Sequence, residues 1–173
     1  MNTSSIQEVL YRLMISPWTC DFLRKQFLQK TPFPMKEKRE RIYISRKSAS
    51  LRRVLNEQDV IQFLEKFGFK SICLETLSVA EQAVTFAAAK VIIAPHGAGL
   101  TNLVFCTPGT KVIEIFHPLY LQKCYWLVSN ICDLAHYTLR GEVLDENSSL
   151  EPRVQNILVN LAHLEALMKI AGI

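Results

Sequence analysis

The residues best suited to chemistry stand together at 95–102, Pro95-His96-Gly97-Ala98-Gly99-Leu100-Thr101-Asn102. They follow the apolar run Val91-Ile92-Ile93-Ala94 and precede a segment that reads as a short helix, 99–106. Gly97 and Gly99 permit backbone torsions and close approaches that a Cβ would forbid. A helix start behind them offers unpaired N–H groups and the positive end of a dipole, which suits a diphosphate. A tight turn that merely needs small residues would use the same types. The spacing is not the dinucleotide fingerprint, because Asn102 stands where GxGxxG needs its third glycine, and no Gly-Lys-Ser/Thr follows to make a P-loop.

His96 has three roles open to it: general base, hydrogen-bond donor to a phosphate or sugar, or support of its own loop. No carboxylate partner stands near it in sequence, so ligand contact or loop support is favoured over catalysis. His117, His136 and His163 show no metal-ligand spacing with it and read as structural or solvent-facing. Thr101 and Asn102 either reach a ligand or satisfy backbone groups at the helix start. Glu114 lies among Val112, Ile113, Ile115 and Phe116, and a carboxylate in such a strand needs a partner. A ribose diol and a structural salt bridge both fit. Arg46 and Lys47 follow a strand, and Arg52 and Arg53 follow a short loop. A guanidinium binds diphosphate oxygens bidentately and stays charged, although Arg52 and Arg53 could equally be solvated residues before a helix. Asn56 is placed to cap that helix.

The elements that must position these residues alternate. Strands are predicted at 41–45, 69–74, 90–94, 110–116 and 135–139, from β-branched and aromatic runs. Helices are predicted at 57–67, ended by Gly68, at 78–89, where Ser78 and Glu81 form a capping box, and at 120–131. Pro152 is expected to open a terminal helix as its first residue. Before the strands, 5–29 has apolar residues at helical spacing interrupted by Pro17, and 30–35 with its two prolines marks a boundary. The expected division is a helical segment over 1–35, a remnant of or connection to another lobe, and a domain over 36–173. Strands alternating with helices of this length imply parallel βαβ units. The domain is therefore α/β and Rossmann-like, a doubly wound, mostly parallel sheet of about five strands with ligands at the carboxyl ends of the strands.

Composition agrees with a globular chain: 173 residues, 49% hydrophobic, 21% charged, net charge +4. Basic residues concentrate at 36–53 and acidic ones at 142–151, which suits a phosphate-bearing ligand, nucleic acid or an anionic surface, or is simply a solvated face. A nucleic-acid site is disfavoured, because aromatics are not interleaved with the basic stretch. The cysteines, Cys20, Cys73, Cys106, Cys124 and Cys132, have no zinc spacing and read as reduced core residues. No run spans a bilayer and the first residues lack a secretory pattern, so a cytoplasmic location, peripheral to a membrane at most, is expected.

Taken in order, Arg41-Ile42-Tyr43-Ile44-Ser45-Arg46, Arg52-Arg53-Val54-Leu55-Asn56-Glu57, Glu81-Gln82, the 95–102 loop and Pro108-Gly109-Thr110-Lys111-Val112-Ile113-Glu114 resemble glycosyltransferase family 61. The resemblance covers about 41–141. It implies the C-terminal lobe of a GT-B architecture, a UDP-sugar donor, inversion at the anomeric carbon and no obligatory metal or other cofactor. The implied acceptor is a glycan, a polysaccharide such as a capsule, or a glycoprotein. Carried onto this chain, Arg46 and Arg52 would hold the diphosphate, with Asn56 beside them. The loop of His96, Gly97, Ala98, Gly99, Leu100, Thr101 and Asn102 would approach phosphates and sugar, and Glu114 would face the nucleoside. Arginines and helix N–H groups would stabilise the departing UDP in place of Mg²⁺, and no DxD motif occurs in the matching region. A two-lobed enzyme needs a substantial lobe before Arg41, so a second lobe or partner chain is expected to supply the acceptor side. A non-catalytic nucleotide-sugar-binding module is the alternative.

Overall fold

The computed structural model describes residues 16–28, 40–143 and 149–173. The proline-rich boundary expected at 30–35 lies outside them. Five strands form one sheet in the order β2-β1-β3-β4-β5, and every pairing is parallel. They are β1 (Arg41–Ile44), β2 (Lys70–Ile72), β3 (Val91–Pro95), β4 (Lys111–Phe116) and β5 (Ala135–Arg140). The helices are α1 (Pro17–Leu28), α2 (Glu57–Glu65), α3 (Val79–Ala88), α4 (Cys124–Ile131) and α5 (Leu161–Ile170). Two 3₁₀ helices, Leu74–Thr76 and Ala98–Phe105, complete the order.

Parallel strands covered on both faces must be apolar on both, and β3 is buried at all five positions. Alternation along β4 divides the core. Val112 joins Ile42, Ile44, Phe86, Leu100 and Leu103 on one face, while Ile113 and Ile115 join Tyr43, Val60, Leu64, Leu164 and Met168 on the other. Burying such a side chain fully contributes roughly 1.5–3 kcal/mol, so the two layers hold the sheet from either side. Cys20 of α1 is buried in the first layer, with Leu23 and Phe27 packed against it. Arg24 donates to the carbonyls of Val104 and Cys106. All five cysteines are free thiols.

Several boundaries fell where local chemistry placed them. Ser78 and Glu81 form the reciprocal capping box that starts α3, and Gly68 (φ +77°) and Gly109 (φ +82°) make the left-handed turns after α2 and before β4. Pro17 does not interrupt a helix within the described residues; it opens α1, since an N1 proline lacks only an N–H that would be orphaned there. Helix α4 starts at Cys124 rather than residue 120, because the chain first turns, with the Tyr120 N–H on the His117 carbonyl at 3.0 Å. The segment predicted as a helix at 99–106 is a 3₁₀ helix at 98–105.

Pro152 does not open the terminal helix. Residues 152–154 form a turn, Ile157 and Leu158 bridge to Val54 and Glu142, and α5 begins only at Leu161. Asn160 caps it by accepting from the N–H groups of Ala162 and His163. The close passage of this segment explains Gly141. A Cβ there would stand 2.3 Å from Ile157 Cγ2 and 2.8 Å from the Leu158 carbonyl, and backbone cannot step aside. Gly141→Ala is expected to lower stability by roughly 1–3 kcal/mol, read as a lower urea midpoint at an unchanged slope.

Candidate functional site

In a doubly wound sheet, ligands bind at the carboxyl edge where the strand order reverses. With the order 2-1-3-4-5, that reversal lies between β1 and β3. Strand β1 delivers Ser45 and Arg46 there, and β3 delivers His96 and the glycine loop. A cleft of ≈ 270 Å³ opens at this point, lined among others by Ser45, Arg46, Glu75, Gln82, Gly97, Gly99 and Asn102. It also includes Ala98 and Leu100; Leu100 is buried and helps form the wall.

Arg46 is the cation of this cleft. Its Nη2 donates to the Leu51 carbonyl at 2.9 Å, while its Nε is buried with no hydrogen-bond partner. The guanidinium lies over Gly97: a Cβ on that residue would meet Arg46 Nη1 at 2.1 Å and Cζ at 3.0 Å. Gly97 is thus glycine for the space it leaves, its backbone being extended (φ 172°). Gly99 leaves similar room for Leu74 Cδ1, 2.7 Å from where its Cβ would stand. Burial, and then the nearby Arg52 charge, lower Arg46 from the ordinary arginine value, which is the environment an incoming anion would relieve.

Glu57, absent from the expected site, holds the arginine in place. It accepts from the Tyr43 hydroxyl (3.1 Å), the Ser45 hydroxyl (3.1 Å) and the Arg46 N–H (3.0 Å). Its place directly after Asn56 gave no hint, because what it binds lies eleven to fourteen residues earlier. Gln82 plays the same part on the other wall, donating to the carbonyls of Leu74 and Leu77 and accepting from Asn102, which also donates to the Gly99 carbonyl. Asn102 therefore uses both amide hydrogens to set the loop.

Arg52 is half-buried and lies outside α2, in the loop before it. It sits at φ +54°, donates from Nε to the His96 carbonyl at 3.2 Å and from Nη1 to the Arg153 carbonyl at 3.0 Å. A left-handed non-glycine residue is a stored strain typical of ligand sites. Asn56 corrects the expectation of capping. It occupies the N-cap position of α2 but makes no side-chain cap bond. Its amide is paired with the peptide of Val159 instead, donating to the carbonyl at 2.9 Å and accepting from the N–H at 3.0 Å.

The partner that His96 lacked in sequence is Glu114. The carboxylate is fully buried, with Oε1 2.5 Å from His96 Nδ1 and Oε2 3.1 Å from His136 Nε2. The second contact is not aligned as a hydrogen bond, so both of its atoms stay unsatisfied. His136 Nδ1 is in turn 2.7 Å from the Ser129 hydroxyl. The His96 ring stacks on Phe116 (4.9 Å) and meets Tyr120 and Tyr125 edge-on or tilted. Burial raises the Tyr125 phenol, against a Thr101 hydrogen bond that lowers it, and that bond locates the otherwise exposed Thr101. His163 is exposed, whereas His117 is buried and burial lowers its imidazole from the ordinary value. Among the described residues no helix is long and apolar enough to cross a membrane.

The model of the glycosyltransferase 61 family matches residues 6–113. The chain belongs to that family. The match starts before the first motif at Arg41 and stops one residue short of Glu114, so it takes in Arg46, the glycine loop and their supports. Similar proteins include a beta-1,2-xylosyltransferase of Oryza sativa subsp. japonica, 32% identical over 95 residues, which is 50% of this chain and 18% of the relative. Another is a beta-1,2-xylosyltransferase of Arabidopsis thaliana, 28% identical over 113 residues, 58% of this chain and 20% of the relative. The aligned part thus amounts to about a fifth of either family relative.

Proposed function

We propose that this chain is the donor-binding lobe of an inverting glycosyltransferase that takes a UDP-sugar and needs no metal, and that a glycan, polysaccharide or glycoprotein is its acceptor. The observation that carries this reading is the Arg46 guanidinium laid over Gly97 at the β1/β3 switch. An arginine with a buried, unpaired N–H beside a glycine loop is the arrangement a diphosphate completes. As the anomeric C–O bond breaks, charge grows on the departing UDP, and Arg46 can stabilise it without a divalent cation.

His96 is the proton-moving group in this reading. With Nδ1–H donated to Glu114, its Nε2 carries the lone pair that could take the acceptor hydroxyl's proton as that oxygen attacks the anomeric carbon. The two plant relatives bear the name beta-1,2-xylosyltransferase, so UDP-xylose is the first donor to try.

Calorimetric titration with UDP and UDP-xylose, with and without EDTA, tests the site. Binding is expected in both conditions. Gly97→Ala should weaken it by roughly tenfold, the worth of one charge-assisted hydrogen bond, at an unchanged melting temperature, because its Cβ displaces only the flexible end of Arg46. No UDP binding, or equal binding by the variant, overturns the site. Binding abolished by EDTA overturns the metal-independent part, and tight binding without turnover in the presence of acceptors favours a non-catalytic module.

A further inference from the structure

The cleft at the β1/β3 switch has two charged side chains in its lining. Arg46 is the cation, and Glu75 is the one carboxylate. Glu75 follows β2 on the 3₁₀ helix Leu74–Thr76, and it is exposed. Its mounting is local and tight. The Cys73 thiol donates to Glu75 Oε2 at 3.0 Å, the Ser48 hydroxyl lies 3.6 Å from the same sulfur, and the Thr76 hydroxyl closes the turn on the Cys73 carbonyl at 2.7 Å. The thiol, and then the residue's own N–H, hold the Glu75 carboxyl below the usual carboxylate range, so it is ionised at neutral pH.

The other polar side chains around the cleft have committed their hydrogens. The Ser45 hydroxyl donates to Glu57, Gln82 donates to the carbonyls of Leu74 and Leu77, and Asn102 donates to Gln82 and the Gly99 carbonyl. A ligand that fills this space must therefore be anionic where it meets Arg46 and must bring hydrogen-bond donors to Glu75.

We infer that Glu75 makes the cleft select a ribonucleotide, its carboxylate accepting from the two vicinal hydroxyls of the donor's ribose. The inference rests on the UDP-sugar reading above. Order along the sheet edge sets the direction of the ligand. Strands β2, β1 and β3 are neighbours, and adjacent strands lie about 4.8 Å apart. The end of β2 and the glycine loop after β3 are thus about 10 Å apart, comparable with the span from the ribose hydroxyls to the second phosphate. His96 turns from β3 toward β4, where its Nδ1 meets Glu114. The transferred sugar has to lie beside His96, so the nucleoside runs the other way, across β1 toward Glu75. A vicinal diol offers two O–H groups to one carboxylate, whereas the uracil N–H stands between two carbonyl oxygens that the carboxylate would repel.

The test is calorimetric titration of the whole chain and of Glu75→Ala with UDP, 2′-deoxy-UDP and inorganic pyrophosphate. The wild type should prefer UDP over 2′-deoxy-UDP by about tenfold, the worth of one hydrogen bond to a charged group. Glu75→Ala should reduce that preference to within twofold and should bind pyrophosphate at least as tightly, because a negative charge has left the cleft. Its melting temperature should match the wild type, since the side chain is exposed. The inference is overturned if the wild type binds both nucleotides alike, if the variant keeps the preference, or if pyrophosphate weakens in the variant as much as UDP does. UDP and pyrophosphate binding without a ribose preference defeats this inference alone. Binding of neither by the wild type defeats the donor site and this inference with it.

Discussion

Arg46→Ala is expected to lower the affinity for UDP by about a hundredfold with little change in stability. The guanidinium reaches the cleft at the β1/β3 switch with its Nε buried and unpaired, so the unliganded protein already bears the desolvation of a cation awaiting an anion. Hydrogen bonds to charged groups contribute about 1.5–3 kcal/mol, and 1.4 kcal/mol is tenfold in affinity. Two N–H groups on a diphosphate thus account for the hundredfold. The folded state loses only the bond to the Leu51 carbonyl, worth about 1 kcal/mol or less. Arg46→Lys should recover a fraction of the affinity, because an ammonium cannot present the planar fork. Calorimetry on the three proteins decides it; UDP affinity within twofold across them would remove Arg46 from the site.

Glu114→Ala should have the largest effect on the fold. The carboxylate has no exposed surface, sits opposite Ala94 and Thr138 in the middle of the sheet, and lies between two histidines. Its removal strands His96 Nδ1 and leaves a cavity, and losing one partner of a buried ionic group costs roughly 3–5 kcal/mol. For a chain of this size that is a fall of about 10 °C in melting temperature. Glu114→Gln keeps the volume and should fold, but it removes the negative charge beside His96 Nδ1, so donor turnover should drop while UDP binding persists. A Glu114→Ala protein that melts with the wild type would show that water replaces the carboxylate, and that the histidines do not depend on it.

Local chemistry was legible from residue order alone. The apolar runs of β1, β3 and β4, the Ser78–Glu81 capping box and the glycines at 68 and 109 act within a few residues, where periodicity and torsion preference decide the outcome. The same holds for Arg46 directly after a strand and for the glycine loop directly after another. Local preference gave way where a distant partner competed for the same groups. Asn56 has a capping side chain at a capping position, yet the Val159 peptide offers it two bonds at once. Pro152 suits a first helical turn, but Ile157 and Leu158 are drawn into bridges with Val54 and Glu142.

The site divides in the same way. Residue order is enough to show a glycine loop, an arginine at a strand end, and a Glu114 that needs a partner in its apolar strand. That His96 and His136 flank the carboxylate, that Glu57 fixes the backbone of Arg46 and that Arg46 lies over Gly97 follows from the packed chain alone. The reason is the parallel sheet. Pairing β1 with β3 and β3 with β4 brings the carboxyl ends of strands some fifty and twenty residues apart to one edge, and no spacing along the chain records which ends will meet.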